Sequence, residues 1–125
     1  QVAMTELLAP VLFDTMREEL PEHQDQLKKI NAIVVYEILK DGKLAGKWTM
    51  DFKKSPNEVY EGEPKNGAKP NCTVTMEDET FVALSAGELD PVKAFMSGKV
   101  KAKGNIMLMQ KLSNVLKNAN AKAKL

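Results

Sequence analysis

Residues 44–53 alternate without a break, with Leu44, Gly46, Trp48, Met50 and Phe52 on one side and Ala45, Lys47, Thr49, Asp51 and Lys53 on the other. A period of two sends successive side chains to opposite faces, so the segment predicts a strand with one buried and one wet face. The preceding run, residues 30–39, is β-branched and apolar on both faces for most of its length, the pattern of a central strand. Asp41-Gly42 turns the chain between the two. A short strand over residues 58–62 follows the Ser55-Pro56-Asn57 turn. Beyond a Pro-, Gly- and Lys-rich loop at 63–71, Cys72, Val74 and Met76 alternate with Thr73 and Thr75 in a fourth strand.

A sheet with one apolar face needs a cover, and the rest of the chain is helical in pattern. Pro10 suits a first helical turn and Pro21 ends the run, giving a helix over residues 10–20. Leu7, Leu8, Val11, Leu12, Phe13, Met16 and Leu20 form its apolar arc, opposite Asp14, Arg17 and Glu18. Residues 22–29 add a short polar helical turn. Glu77-Asp78-Glu79 places acid at the positive end of a second helix, which carries Phe81, Val82 and Leu84 and stops at Gly87. Asp90-Pro91 opens a third, with Asp at the cap and Pro at the first position, and Gly98 closes it. Val100 and Ala102 alternate with Lys99, Lys101 and Lys103 in an edge strand over residues 99–103. Asn105 caps a last helix over residues 106–119. Its Leu108, Met109, Leu112, Val115 and Leu116 share an apolar arc, while Met107 falls among Lys111, Asn114 and Asn118. The order α-β-β-β-β-α-α-β-α, in one domain of residues 1–125, is that of an α+β fold.

Reactive side chains are scarce: one His, one Cys and one Trp stand beside seven Met. Cys72 has no partner for an intrachain disulfide and reads as a buried structural thiol. A cysteine nucleophile wants a His, and His23 lies in the solvated stretch PEHQDQ with no second ligand spaced for a metal. There is no P-loop, no GxGxxG and no GxSxG. No cofactor, metal or catalytic residue is expected, and Asp/Glu chemistry of a thioesterase kind is the enzymatic alternative. No apolar run is long enough to span a bilayer and no signal peptide is recognisable, so membrane contact is expected to be at most peripheral. Gln1 in first place suggests a domain trimmed or cut from a longer chain.

The net charge of +1 conceals an asymmetry. Residues 99–125 hold seven lysines and no acid, leaving eleven basic against seventeen acidic residues before them. Such a chain steers an anionic ligand or surface towards its C-terminal third, unless the lysines are simply a solvated face. Nucleic acid is not expected as a partner, because Arg17 is the only Arg.

The segment DPVKAFMSGKVKAKGNIMLMQKL at 90–112 resembles the signature of the sterol carrier protein-2 family of non-specific lipid-transfer domains. GKWTMDF at 46–52, MEDETFVAL at 76–84 and INAIVVYEI at 30–38 fit the same family in the same order. GNIMLMQKL is most similar to the version fused to peroxisomal multifunctional β-oxidation enzymes. The resemblance implies a five-stranded mixed sheet, helices over one face and an apolar lipid tunnel between them. It also implies binding of fatty acids, fatty acyl-CoAs and sterols with no catalytic act. A stand-alone chain would be a monomer; the alternative is a C-terminal accessory domain that presents acyl-CoA to the catalytic domains of a multifunctional enzyme. The terminal Ala123-Lys124-Leu125 resembles the tripeptide read by the peroxisomal import receptor, which implies the peroxisomal matrix. The bland alternative is a frayed Lys/Ala tail.

A lipid site needs apolar area, an adaptable wall and few polar anchors. The tunnel is expected to draw on Trp48 and Met50 from the sheet, on Phe81, Leu84, Phe95 and Met96 from the middle helices, and on Met107, Met109, Gln110, Leu112 and Leu116 from the last helix. An ordinary core would contain most of the same residues. Met107, out of place on a polar arc, marks a tunnel mouth. Gln110 either gives a hydrogen bond inside the tunnel or is a surface amide. Arg17 either meets a lipid carboxylate or CoA phosphate, or pairs with Asp14 or a nearby Glu.

Overall fold

A computed structural model gives the fold over residues 7–54 and 56–123. Its centre is the hairpin of β1 (Ile33–Lys40) and β2 (Lys43–Asp51), turned by Asp41 and Gly42 at φ 53° and 79°. Those left-handed values match the twist of a tight hairpin. The Glu77 carboxylate holds the turn by accepting hydrogen bonds from the Asp41 and Gly42 N–H groups, at 2.9 and 3.0 Å. With β3 (Glu58–Glu61), β4 (Cys72–Glu77) and β5 (Val100–Gly104) the sheet has five strands in the order β3-β2-β1-β4-β5. Only β1 and β4 run parallel, so the sheet is mixed and the apolar β1 is central, as its pattern predicts.

Register assigns the faces. Val34, Tyr36 and Ile38 align with Met50, Trp48 and Gly46 on one side and with Cys72, Val74 and Met76 on the other. Val59 and Val100 extend this apolar face to the outer strands. The opposite face carries Glu37, Lys47, Thr73, Thr75, Lys101 and Lys103. The alternation of β2 is corrected at two points. The pairing slips after Ile38, so Leu39 aligns with Leu44 and Ala45 is a bulge. Leu44 is thereby thrown to the wet face and is 57% exposed. Thr49, expected to be wet, is fully buried and donates to the Gly62 carbonyl at 2.7 Å.

Helices cover the apolar face. α1 (Ala9–Glu19) ends just before Pro21, as expected, and a 3-10 turn (Leu20–His23) leads into α2 (Gln24–Lys28), within the short polar helical stretch expected over residues 22–29. Pro21 sits at the start of that turn, where a missing N–H costs nothing. α3 (Asp78–Ser85) and α4 (Pro91–Met96) end before Gly87 and Gly98 as expected, and Asp90 caps α4 by accepting from Lys93 N at 3.0 Å. Asp78 does more than offset a dipole. Its buried carboxylate accepts from Leu8 N and from Ala9 N at 2.8 Å, so it caps α1 from nearly seventy residues away. α5 (Met107–Ala123) begins at its Asn105 cap and runs past residue 119. Residues 120–123, beyond the expected end of the helix, remain helical because Ala119 and Asn120 are buried and Asn120 Nδ2 donates to Ser85 Oγ at 3.0 Å. Of the terminal tripeptide, Lys124 and Leu125 lie outside the described residues.

Candidate functional site

Three aromatic rings are stacked between sheet and helices. Phe13 of α1 lies between Trp48 of β2 and Phe81 of α3, with centroids 4.8 Å away on each side and planes within 12° of parallel. Tyr36 meets Phe13 and Phe81 edge-on at 5.8 and 5.5 Å. Trp48 can lie along its own strand because residue 46 is glycine; a Cβ there would come within 2.6 Å of the indole. All four rings are buried.

Beside this stack, Tyr36, Val74, Met76, Leu84, Pro91, Val100, Met109 and Leu116 line a cavity of about 10 Å³. A second, of about 20 Å³, lies where Met16, Leu20 and Leu27 meet Val115 and Ala119. Each is room for about one water. The expected tunnel is therefore corrected: the apolar space is filled by side chains, and nothing among the described residues runs through it. Two open grooves share walls with the first cavity. One, of about 570 Å³, meets it at Met76 and is flanked by Leu39, Leu89 and Lys99. The other, of about 280 Å³, meets it at Leu84 and Pro91 and is flanked by Gln110, Ser113 and Lys117.

The proposed lining residues divide accordingly. Trp48, Met50, Phe81, Leu84, Met109, Leu112 and Leu116 are buried in one contiguous core, and Phe95 packs half-buried against it. Met96 and Met107 are 79% and 58% exposed and so stand outside this interior. Gln110 is exposed as well and faces the smaller groove, not the interior. Arg17 takes its structural alternative: Nη1 pairs with Asp14 at 3.0 Å and Nε donates to the Val59 carbonyl at 2.8 Å, closing α1 onto the edge strand. His23 is also corrected. The 3-10 turn after α1 brings its Nε2 to 4.0 Å from Glu19, and Glu22 joins them; Glu19 lies outside the hexapeptide PEHQDQ, whose spacing shows no second ligand. Cys72 is fully buried, and burial pushes its thiol up from the ordinary range.

Tyr36 is the polar side chain among the cavity's eight lining residues. Burial pushes its hydroxyl far above the ordinary value, so it stays protonated and can donate a hydrogen bond. Its place within a continuous apolar strand run was the available signal, since Tyr is the residue type that presents a polar tip on an apolar body.

The sequence profile of the SCP-2 sterol transfer family matches residues 13–117. The chain belongs to that family. Among SCP-2 relatives it is 46% identical over 95 residues to peroxisomal multifunctional enzyme type 2 of Mus musculus, covering 76% of this chain and 13% of that protein. It is 38% identical over 119 residues to sterol carrier protein 2 of Homo sapiens, covering 91% of this chain and 21% of that protein. The chain thus spans no more than about a fifth of the length of either relative. The apo form of sterol carrier protein 2 from Yarrowia lipolytica superposes with a TM-score of 0.75 at 29% identity, covering 86% of this chain and 88% of that one. The SCP-2 fold thus accounts for the sheet order and helical cover described above.

Proposed function

We propose that this chain is a lipid-carrying SCP-2 domain of the peroxisomal matrix, which takes fatty acids, fatty acyl-CoAs and sterols into the space between the sheet and α3–α5 without chemical change. The cavity beside Tyr36 is the observation that carries this reading, because its other seven lining residues are apolar. Each buried methylene contributes about 0.8 kcal/mol, so an acyl chain needs no specific polar contact to bind tightly. A cavity of this size must swell to admit one. Met76 and Met109 supply the means: their unbranched thioethers repack at low cost, and Met76 is the wall shared with the larger groove. Tyr36 then meets a carboxylate or hydroxyl of the cargo, and a CoA group stays outside among the exposed lysines.

The relative that carries the peroxisome in its name, the multifunctional enzyme type 2, supports the location, and Ala123-Lys124-Leu125 is the segment an import receptor would read. A second reading is favoured by the multifunctional-enzyme relative, in which the matching region is a small part of a longer chain. There the domain would present acyl-CoA to neighbouring catalytic domains.

Mass spectrometry of lipid carried by the native protein, with displacement of a fluorescent fatty acid by unlabelled lipid, tests the carrier reading. One-to-one saturable binding is expected; absence of saturable binding overturns it. Release of free thiol from acyl-CoA would overturn the non-catalytic reading. Removal of Ala123–Lys124–Leu125 is expected to leave the protein in the cytosol. An upstream dehydrogenase or hydratase in the full reading frame would decide for the accessory domain.

A further inference from the structure

Pro21 cannot donate the next α-helical hydrogen bond, so α1 stops at Glu19 and residues 20–23 tighten into a 3-10 turn. Residues three apart nearly eclipse in such a turn, which draws Glu22 towards Glu19, with His23 beside it. One ligand atom from each of these three side chains lies within 4.8 Å of the other two. Glu19 and His23 also line the small cavity between α1, α2 and α5, together with Gln26 and Asn118. The Glu19 side chain is only 16% exposed. A carboxylate drawn that far out of water needs a cation or hydrogen-bond donors. Among the described residues, no hydrogen bond reaches the Glu19 or Glu22 carboxylate or the His23 ring. No Lys or Arg pairs with either acid there, and the imidazole stands off from Glu19 at 4.0 Å.

We propose that Glu19, Glu22 and His23 form a binding site for a divalent metal ion of the zinc type. Two carboxylates and a neutral imidazole are a donor set that zinc accepts, and the two negative charges balance the ion. Ligand atoms around a tetrahedral zinc stand about 3.3 Å apart, so rotation of the three side chains closes the cluster. The imidazole nitrogen argues against calcium and magnesium, which take oxygen ligands. A fourth position is left for water or for an amide oxygen of Gln26 or Asn118 at the same cavity. Bound there, the ion clips the end of α1 to the turn that carries the chain into α2. Leu20 and Leu27, on either side of that turn, pack in the cavity against Val115 and Ala119 of α5. The site is thus a structural clip, independent of any cargo.

Titration of the whole chain with zinc chloride, after chelator washing and without a histidine tag, tests this by calorimetry and by NMR of the imidazole. His23 is the only His, so its ring signals report ligation without ambiguity. One-to-one binding is expected, with a shift of the His23 ring nitrogens and a Tm that rises with zinc concentration. H23A and E19Q/E22Q should each weaken binding by at least about ten-fold and lose the rise in Tm. E18Q/D25N, which removes the same charge from exposed acids beside the cluster, should bind as the parent does. Calcium and magnesium should not displace the zinc. Absence of saturable binding, or a His23 ring that does not shift, overturns the proposal, and neither readout needs a variant to fold. So does equal loss in E18Q/D25N and E19Q/E22Q, which would reduce the effect to diffuse charge. Undiminished binding by H23A would place the ion elsewhere, and displacement by calcium would overturn the zinc assignment.

Discussion

Phe13 lies flat on Trp48, their centroids 4.8 Å apart and their planes 7° from parallel. The contact joins α1 to β2 across the middle of the apolar space, and both rings are shut off from solvent. Phe13→Ala removes the middle ring of the stack. A loss of about 3–5 kcal/mol of stability is expected in urea unfolding. Trp48 is the only Trp, so its fluorescence should shift to the red in the folded variant as the freed volume admits water.

Gly46→Ala tests the other side of the same indole. The new Cβ would sit 2.6 Å from the Trp48 ring, so the ring must turn away from its strand and its stacking on Phe13 must change. A cost of about 1–3 kcal/mol is expected, with altered near-ultraviolet dichroism and intact far-ultraviolet dichroism.

Asp78→Ala leaves the N–H groups of Leu8 and Ala9 without their acceptor. The expected cost is about 1–3 kcal/mol. Asp78→Asn keeps one acceptor oxygen and should lose less. Amide exchange at Leu8 and Ala9 should accelerate more than exchange in the sheet.

Glu37 gives stability a pH dependence. The Thr75 hydroxyl donates to its carboxylate at 2.7 Å and Lys47 lies 3.3 Å away; together they outweigh the opposing effect of burial and hold its pKa below the ordinary value near 4.5. The stabilisation is therefore complete above the unfolded value and is lost as pH falls through the lower, folded one. Thr75→Val should move the Glu37 carboxyl back up in an NMR titration. Glu37→Gln should flatten the acid limb of stability against pH below about 4.5.

Tyr36→Phe removes the hydroxyl from the cavity's one polar lining residue and leaves the aromatic packing in place. On the carrier reading, affinity for a fatty acid should fall by about three- to ten-fold, the worth of one net hydrogen bond. Affinity for a methyl-capped hydrocarbon of the same length should stay unchanged.

What the sequence made legible was periodic. Alternation in residues 72–76 and the apolar run at 30–39 identified β4 and the central β1, and Asp90 and Asn105 marked helix starts that both side chains do cap. Buried lining residues such as Leu112 and Leu116 followed from the α5 arc. What stayed hidden depends on partners far along the chain. Asp78 looks like any acid at a helix start until Leu8 and Ala9 arrive beside it. The α5 arc fades after residue 119, yet Ser85 gives Asn120 a reason to remain helical. Residue type places Met96 inside and the polar arc places Met107 at a tunnel mouth, whereas both side chains are exposed.

The extra residue at Ala45 acts as a change of phase along the β1–β2 hairpin. On the core side of it, every second residue answers to the helices; on the tip side, the same alternation answers to water and to the Glu77 clasp. Deleting Ala45 would set Leu44 directly beside Gly46 on a regular ladder, still opposite Leu39, so both halves would keep their faces and the turn its clasp. The tip can therefore vary in sequence, and the bulge itself can be lost, without moving the half of the hairpin that lies under the helices.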